Sequence, residues 1–147
     1  MNLLRLTYEL EDEWHGQLHV CAVAHGFAGR SAAWFNRDAL TAFSHALGEY
    51  PLPSHAPVKI LGGGGALAAG WYSQEHVGLT IARASITGKL LVCVDLANEP
   101  AVGAGTTIQR RAFLRFLTEY ASVDQFRSEL GPMLNGGTEA LLRGTEA

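Results

Sequence analysis

The strongest constraint on the fold of this chain is a regular alternation of apolar and polar residues between His76 and Leu130. Three successive runs alternate with a period of two residues, as half-buried strands do, and the period then changes to that of a helix. The apolar positions of the three runs and of the helix are Val77, Leu79 and Ile81; Leu90, Val92, Val94 and Leu96; Ala112, Leu114 and Phe116; and Val123, Phe126 and Leu130. The pattern predicts a meander of three strands closed by a helix.

The N-terminal third of the chain has the same organisation. Alternation from Leu4 to Leu10 predicts a first strand, a second strand opens at Gly16, and a third is expected over residues 27–35. A helix follows, with an Asn or Asp side chain placed to accept from an unpaired amide of its first turn. The apolar stripe of this helix and its two candidate caps are Leu40, Phe43, Leu47, Asn36 and Asp38.

Two stretches of the chain resemble each other. Residues 16–23 and 88–95 share the pattern G-x-L-x-V-C, and each is followed by another strand and by a helix with Phe and Leu four residues apart. The second copy is longer, and its extra length falls in the loop Asn98–Gly105. The repetition predicts an internal duplication of a strand–strand–strand–helix unit. Chance is the alternative, because hairpin sequences draw on the same few residues.

Together these elements predict an α+β fold, with a mostly antiparallel, twisted sheet of seven or eight strands and two helices. We expect a single domain over residues 1–134 and a mobile tail over 135–147, which has little to bury. Ser122 is expected to cap the second helix, and Gly131–Pro132 to stop or kink it. The predicted core comprises Leu18, Val20, Leu40, Phe43, Leu79, Ile81, Val92, Val94, Leu114, Phe116, Phe126 and Leu130.

Charge and hydropathy exclude several classes of partner. The net charge is −3, and the one basic cluster (Arg110, Arg111 and Arg115) is too small to indicate a nucleic-acid binder. No stretch reaches the ~18 consecutive apolar residues of a membrane span, and the N-terminus lacks the pattern of a signal peptide. We therefore expect a cytoplasmic protein, in which Cys21 and Cys93 are reduced, buried thiols.

The residues that carry chemistry do not form a recognisable site. Gly62–Gly65 lacks the Lys-Ser or Lys-Thr of a phosphate-binding loop, and it is better interpreted as a flexible hairpin loop before a weak strand over 67–73. Three histidines of the second strand share one face but are too widely spaced to converge on one zinc ion. No nucleophile elbow occurs, and no cysteine adjoins a histidine at a helix start. The sequence therefore predicts no cofactor, metal or catalytic residue, and it favours a protein that is not an enzyme.

The outward face of the predicted sheet is unusually apolar. Its apolar side chains are mixed with charged ones, which is typical of a surface that meets a second layer or another protein. They are Leu3, Cys21, Val23, Leu91, Cys93, Phe113 and Leu117, and the charged ones are Lys89, Asp95, Arg111 and Arg115. An acidic turn between the first two strands is a second candidate for contact with a basic partner. The candidate interaction residues are Leu91, Phe113, Arg115 and Leu117 on the sheet, and Glu11, Asp12 and Glu13 in the turn. The expected partner is another protein or a second copy of this chain.

Three segments carry a family resemblance. Residues 88–96 (GKLLVCVDL), residues 118–130 (TEYASVDQFRSEL) and residues 26–47 (GFAGRSAAWFNRDALTAFSHAL) resemble small bacterial proteins, some of them immunity proteins of the WapI-like group that neutralise a toxin. The resemblance implies a cytoplasmic, non-enzymatic α+β protein that acts by binding another protein. The alternative is a small-ligand carrier or sensor with a pocket between sheet and helices near Trp34 and Trp71.

Overall fold

Ten strands and two helices follow one another along the described part of the chain. The computed structural model describes residues 1–63, 75–85, 88–98, 101–103 and 105–145. The strands are β1 (Asn2–Leu10), β2 (His15–Ala24), β3 (Phe27–Asn36), β4 (Val58–Gly63), β5 (Glu75–Arg83), β6 (Lys89–Ala97), β7 (Ala101–Gly103), β8 (Thr106–Ile108), β9 (Arg111–Glu119) and β10 (Glu139–Arg143). The helices are α1 (Arg37–Ala46), between β3 and β4, and α2 (Tyr120–Leu134), between β9 and β10.

The long strands form two antiparallel sheets of four strands each. The first sheet has the order β10-β1-β2-β3, and the second has the order β4-β5-β6-β9. Strands β7 and β8 form a separate small hairpin. The predicted α+β class, with eight long antiparallel strands and two helices, is confirmed; the strands are divided between two sheets.

The chain order of the elements repeats. The segments β1-β2-β3-α1-β4 and β5-β6-β9-α2-β10 follow the same sequence of strands and helix, apart from the β7–β8 hairpin. The last strand of each segment leaves its own sheet and pairs with the first strand of the other: β4 with β5, and β10 with β1. The two G-x-L-x-V-C stretches lie on β2 and β6, the second strand of each segment. The structure thus extends the predicted three-strand-and-helix unit by one exchanged strand.

The inner faces of both sheets and the buried faces of both helices form one hydrophobic cluster. All twelve residues of the predicted core are buried in it, and the Phe126 side chain is fully buried. Helix α1 contacts β3 and β4, helix α2 contacts β1, β9 and β10, and the helices contact each other. Of the two candidate caps, Asn36 caps α1, with its side-chain oxygen accepting from the amide of Ala39 at 2.8 Å.

Two glycines lie at corresponding positions where one sheet meets the other. Gly62 on β4 is so close to Phe35 that a Cβ atom there would lie 2.5 Å from the ring, and Gly144 after β10 stands in the same relation to Phe116. Each position therefore requires a residue without a side chain. Next to Gly144, the amide of Thr145 donates to the carbonyl of Leu117 at 2.8 Å, and this bond connects the C-terminal segment to β9.

The expectation of a mobile tail from residue 135 was wrong. Residues 139–143 form β10, which pairs with β1 and buries Ala140 and Leu142 completely. Within residues 135–145, the tail offers these two apolar side chains to the core, and the edge of β1 pairs with it by backbone hydrogen bonds. A short segment that is unstable alone is therefore ordered by an existing strand.

Three further expectations need correction. Helix α2 begins at Tyr120, directly after β9, so Ser122 lies inside the helix and does not cap it. The helix continues past Gly131 and Pro132 and ends at Leu134, so these two residues do not stop it where expected. The loop Asn98–Gly105 contains β7, while the weak strand expected over 67–73 lies outside the described residues.

Candidate functional site

The outer face of the second sheet gathers the four candidate interaction residues of β6 and β9. Leu91 lies directly opposite Leu117 in the strand register, and Arg115 and Phe113 lie opposite Cys93 and Asp95. Side chains of this face alternate with those of the core, so the pleat directs all of them away from the inner cluster. We define the outer face by its described residues, Lys59, Leu61, Gly78, Thr80, Ala82, Lys89, Leu91, Cys93, Asp95, Arg111, Phe113, Arg115, Leu117 and Glu119.

Two large apolar side chains of this face are open to solvent. Phe113 is 58% exposed and Leu61 is 46% exposed, whereas Leu91 and Leu117 are half-buried. Gly78 on β5 lies beside Leu61, and a Cβ atom there would lie 3.2 Å from Leu61 Cδ2. The Leu61 side chain therefore leans over the glycine and covers it, and Gly78 is buried.

The charges of the outer face are mostly basic. Arg111 makes a bidentate ion pair with Asp95, with Nη2–Oδ2 and Nε–Oδ1 distances of 2.7 and 3.0 Å, and Lys89 pairs with Glu119. Lys59 and Arg115 are both exposed, and neither forms an ion pair within the described part of the chain. The face thus carries four basic and two acidic side chains, although the whole chain has a net charge of −3.

The acidic turn lies on the other sheet, between β1 and β2. Asp12 accepts hydrogen bonds from the amides of Trp14 and His15 at 2.7 and 2.8 Å, and these bonds lower the pKa of its carboxyl group. Its carboxylate therefore holds the turn in shape, whereas the side chains of Glu11 and Glu13 are exposed. The structure does not place this turn on the outer face of the second sheet.

Sequence reasoning missed Lys59 and Leu61, which extend the outer face onto β4. The alternation around them is short, and only Val58 and Ile60 indicated a strand. It also missed Trp14, which is exposed beside the acidic turn. The alternation stops at Leu61, because Ile60 and Leu61 are adjacent apolar residues, so Leu61 could not be assigned to a face from the sequence.

The structure also contains concave regions away from this face. One of 310 Å³ lies between α2 and β10, beside Gln125, Glu129 and Leu141. Another, of 340 Å³, lies on the outer face of the first sheet. Trp34, expected near a pocket between sheet and helices, is instead 46% exposed on β3, and Trp71 lies outside the described residues.

Among the described residues, no three His, Cys, Asp or Glu side chains are grouped closely enough to hold a metal ion. Neither α1 nor α2, the helices of the described chain, has the length and apolar character needed to cross a bilayer.

Comparison with known proteins adds no assignment. No protein family, curated protein or solved structure gives a significant match to this chain. The similarity to the WapI-like immunity group therefore rests on the three segments quoted above, and a role as an immunity protein stays a prediction.

Proposed function

We propose that this protein is a cytoplasmic, non-enzymatic protein-binding module that contacts an acidic protein partner through the outer face of its second sheet. The observation that carries the proposal is the exposure of Phe113 and Leu61 on a regular four-stranded surface. Exposed aromatic side chains that a partner covers supply much of the binding free energy at protein interfaces. A sheet also presents them with little loss of conformational entropy on binding.

The charge of the face supports an acidic partner. Lys59 and Arg115 lie at opposite edges of the sheet, in one row with Thr80 and Cys93 between them. A partner with carboxylates at matching positions would be steered to the face, and the flanking charges would fix its orientation. The partner's apolar centre would then cover Phe113.

The same charge disfavours a homodimer built on this face. A two-fold symmetric contact brings a surface patch against its own copy. Both copies would carry an excess of basic groups, and the like charges would repel each other across the interface. We therefore propose a different protein as the partner.

A toxin is the most specific form of this proposal, and the resemblance to the WapI-like group supports it. An immunity protein acts by binding its toxin, and it needs a stable complementary surface and no catalytic group. The toxin's gene is then expected beside that of this protein. Its product should carry an acidic, partly apolar surface that the outer face covers.

The test measures binding of the product of the neighbouring gene by isothermal titration calorimetry, with wild-type protein and with Phe113→Asp. We expect the substitution to weaken binding about 30-fold or more, since loss of a central aromatic contact costs ~2 kcal/mol or more. Phe27→Asp is the matched control, because Phe27 is 70% exposed on β3 of the other sheet.

Equal loss of affinity in both variants, or none in Phe113→Asp, would refute the assignment of the face. Sedimentation of the protein alone separates the proposal from its competitor. We expect a monomer, and a dimer that Phe113→Asp dissociates would show that the face binds a second copy.

A further inference from the structure

We infer that the outer face of the first sheet holds a site for a small oxyanion, the phosphate or carboxylate group of a small molecule, between Arg5 and Arg30. This site lies on the opposite sheet from the proposed protein-binding face and does not depend on it. The concave region of 340 Å³ on this sheet is lined by Arg5, Thr7, His19, Val20, Cys21, Arg30 and Glu139. Its volume is at the lower end of the range for small-molecule sites.

The strand register brings the two arginines to either side of Cys21. Arg5 on β1 and Arg30 on β3 both lie opposite Cys21 on the central strand β2. Their Cα atoms are therefore two strand spacings apart, roughly 10 Å. Each guanidinium carries five N–H donors in a planar fork, and both side chains are long enough to reach an anion above the thiol.

The charges and hydrogen bonds of the region leave donors for a ligand. Arg5 is held by Glu139, with an Nε–Oε2 distance of 3.3 Å, whereas Arg30 is exposed and has no acidic partner among the described residues. His19 Nε2 is hidden from solvent but makes no hydrogen bond, and it lies 3.4 Å from Glu9 Oε2. Arg30 therefore offers all the N–H donors of its guanidinium group on this surface, and Arg5 offers those that Glu139 does not engage.

The second sheet provides an internal comparison. The row that corresponds to Arg5–Cys21–Arg30 reads Thr80–Cys93–Arg115, because Thr80 and Arg115 lie opposite Cys93 on either side. Both rows carry a cysteine flanked by an arginine, but only the first has a second arginine. The pair is thus not required by the repeated fold, and it concentrates positive charge on one sheet. Two arginine forks facing one space match the geometry of an oxyanion.

The test titrates inorganic phosphate, and separately citrate, into the full chain at constant ionic strength, and follows the alkylation rate of Cys21 by mass spectrometry. We expect at least one of the two anions to slow alkylation of Cys21 in a saturable way, while the alkylation rate of Cys93 stays unchanged. Protection of Cys21 by phosphate alone would indicate a phosphorylated ligand, and protection by citrate alone would indicate a ligand with a carboxylate group. Arg30→Gln should raise the half-saturating concentration tenfold or more, whereas Arg110→Gln, a change at an exposed arginine outside the concave region, should leave it unchanged.

Two results would overturn the inference. One is that neither anion protects Cys21 at concentrations up to about 10 mM, roughly ten times a millimolar dissociation constant. The other is equal protection of Cys21 and Cys93, which would indicate an effect of the anion that is not specific to the first sheet. Neither result bears on the binding of a protein by the second sheet, so the two proposals fail separately.

Discussion

Truncation of Leu142 to alanine tests whether the C-terminal segment belongs to the folded core. Leu142 is fully buried and lies opposite Leu4 in the β1–β10 pair. Removing a buried leucine side chain down to alanine costs ~2–5 kcal/mol, from lost burial and from the cavity left behind. In a protein of this size each kcal/mol corresponds to ~2–4 °C in melting temperature, so we expect a decrease of ~4–20 °C.

Urea denaturation followed by tryptophan fluorescence measures the effect of Leu142→Ala directly. The midpoint should decrease while the dependence on urea stays the same, because the surface exposed on unfolding hardly changes. Leu141→Ala is the matched control, since this neighbour is only half-buried and points away from the core. A change below about 0.5 kcal/mol for Leu142→Ala would place it with surface substitutions and refute the burial of β10.

Three further substitutions test other parts of the fold. Phe126→Ala should cost ~3–5 kcal/mol in urea denaturation, and Phe113→Ala should cost less than about 0.5 kcal/mol; similar values would show that the buried helix face is misassigned. Asn36→Ala should cost ~1 kcal/mol in thermal unfolding through loss of the α1 cap, and no change would mean that the cap contributes nothing. Asp12→Ala should destabilise the protein at pH 7 but not below the folded pKa of Asp12, because a carboxyl group with a lowered folded pKa stabilises only while it is ionised. A difference in stability between the variant and the wild type that persists at low pH would contradict this.

Residue periodicity predicted the strands and the core because each of these depends on local alternation. The inward residues of β2, β5, β6 and β9 were assigned correctly from the period of two alone. The same parity placed Leu91, Phe113, Arg115 and Leu117 on one outer face, where the register indeed brings them together.

Pairings between distant segments could not be predicted in this way. The pairing of β10 with β1 joins residues more than 130 positions apart, and nothing in the short segment 139–143 indicates its partner. Periodicity also does not show whether the strands form one sheet or two, because apolar and polar residues alternate in the same way in the strands of both sheets. The position of Arg5 beside Arg30 depends on the order of β1, β2 and β3 and so became visible only in the structure.

Differential labelling of the two cysteines tests the central proposal most directly. Cys93 lies on the outer face of the second sheet and Cys21 on that of the first, and both thiols are free and half-buried. Each cysteine thus reports on one face of the unmodified protein. When the product of the neighbouring gene forms a complex with the protein, we predict that alkylation of Cys93 slows at least tenfold while the rate for Cys21 is unchanged. Protection of Cys21 alone, or unchanged rates at both cysteines in a formed complex, would contradict the proposal that the second sheet binds the partner.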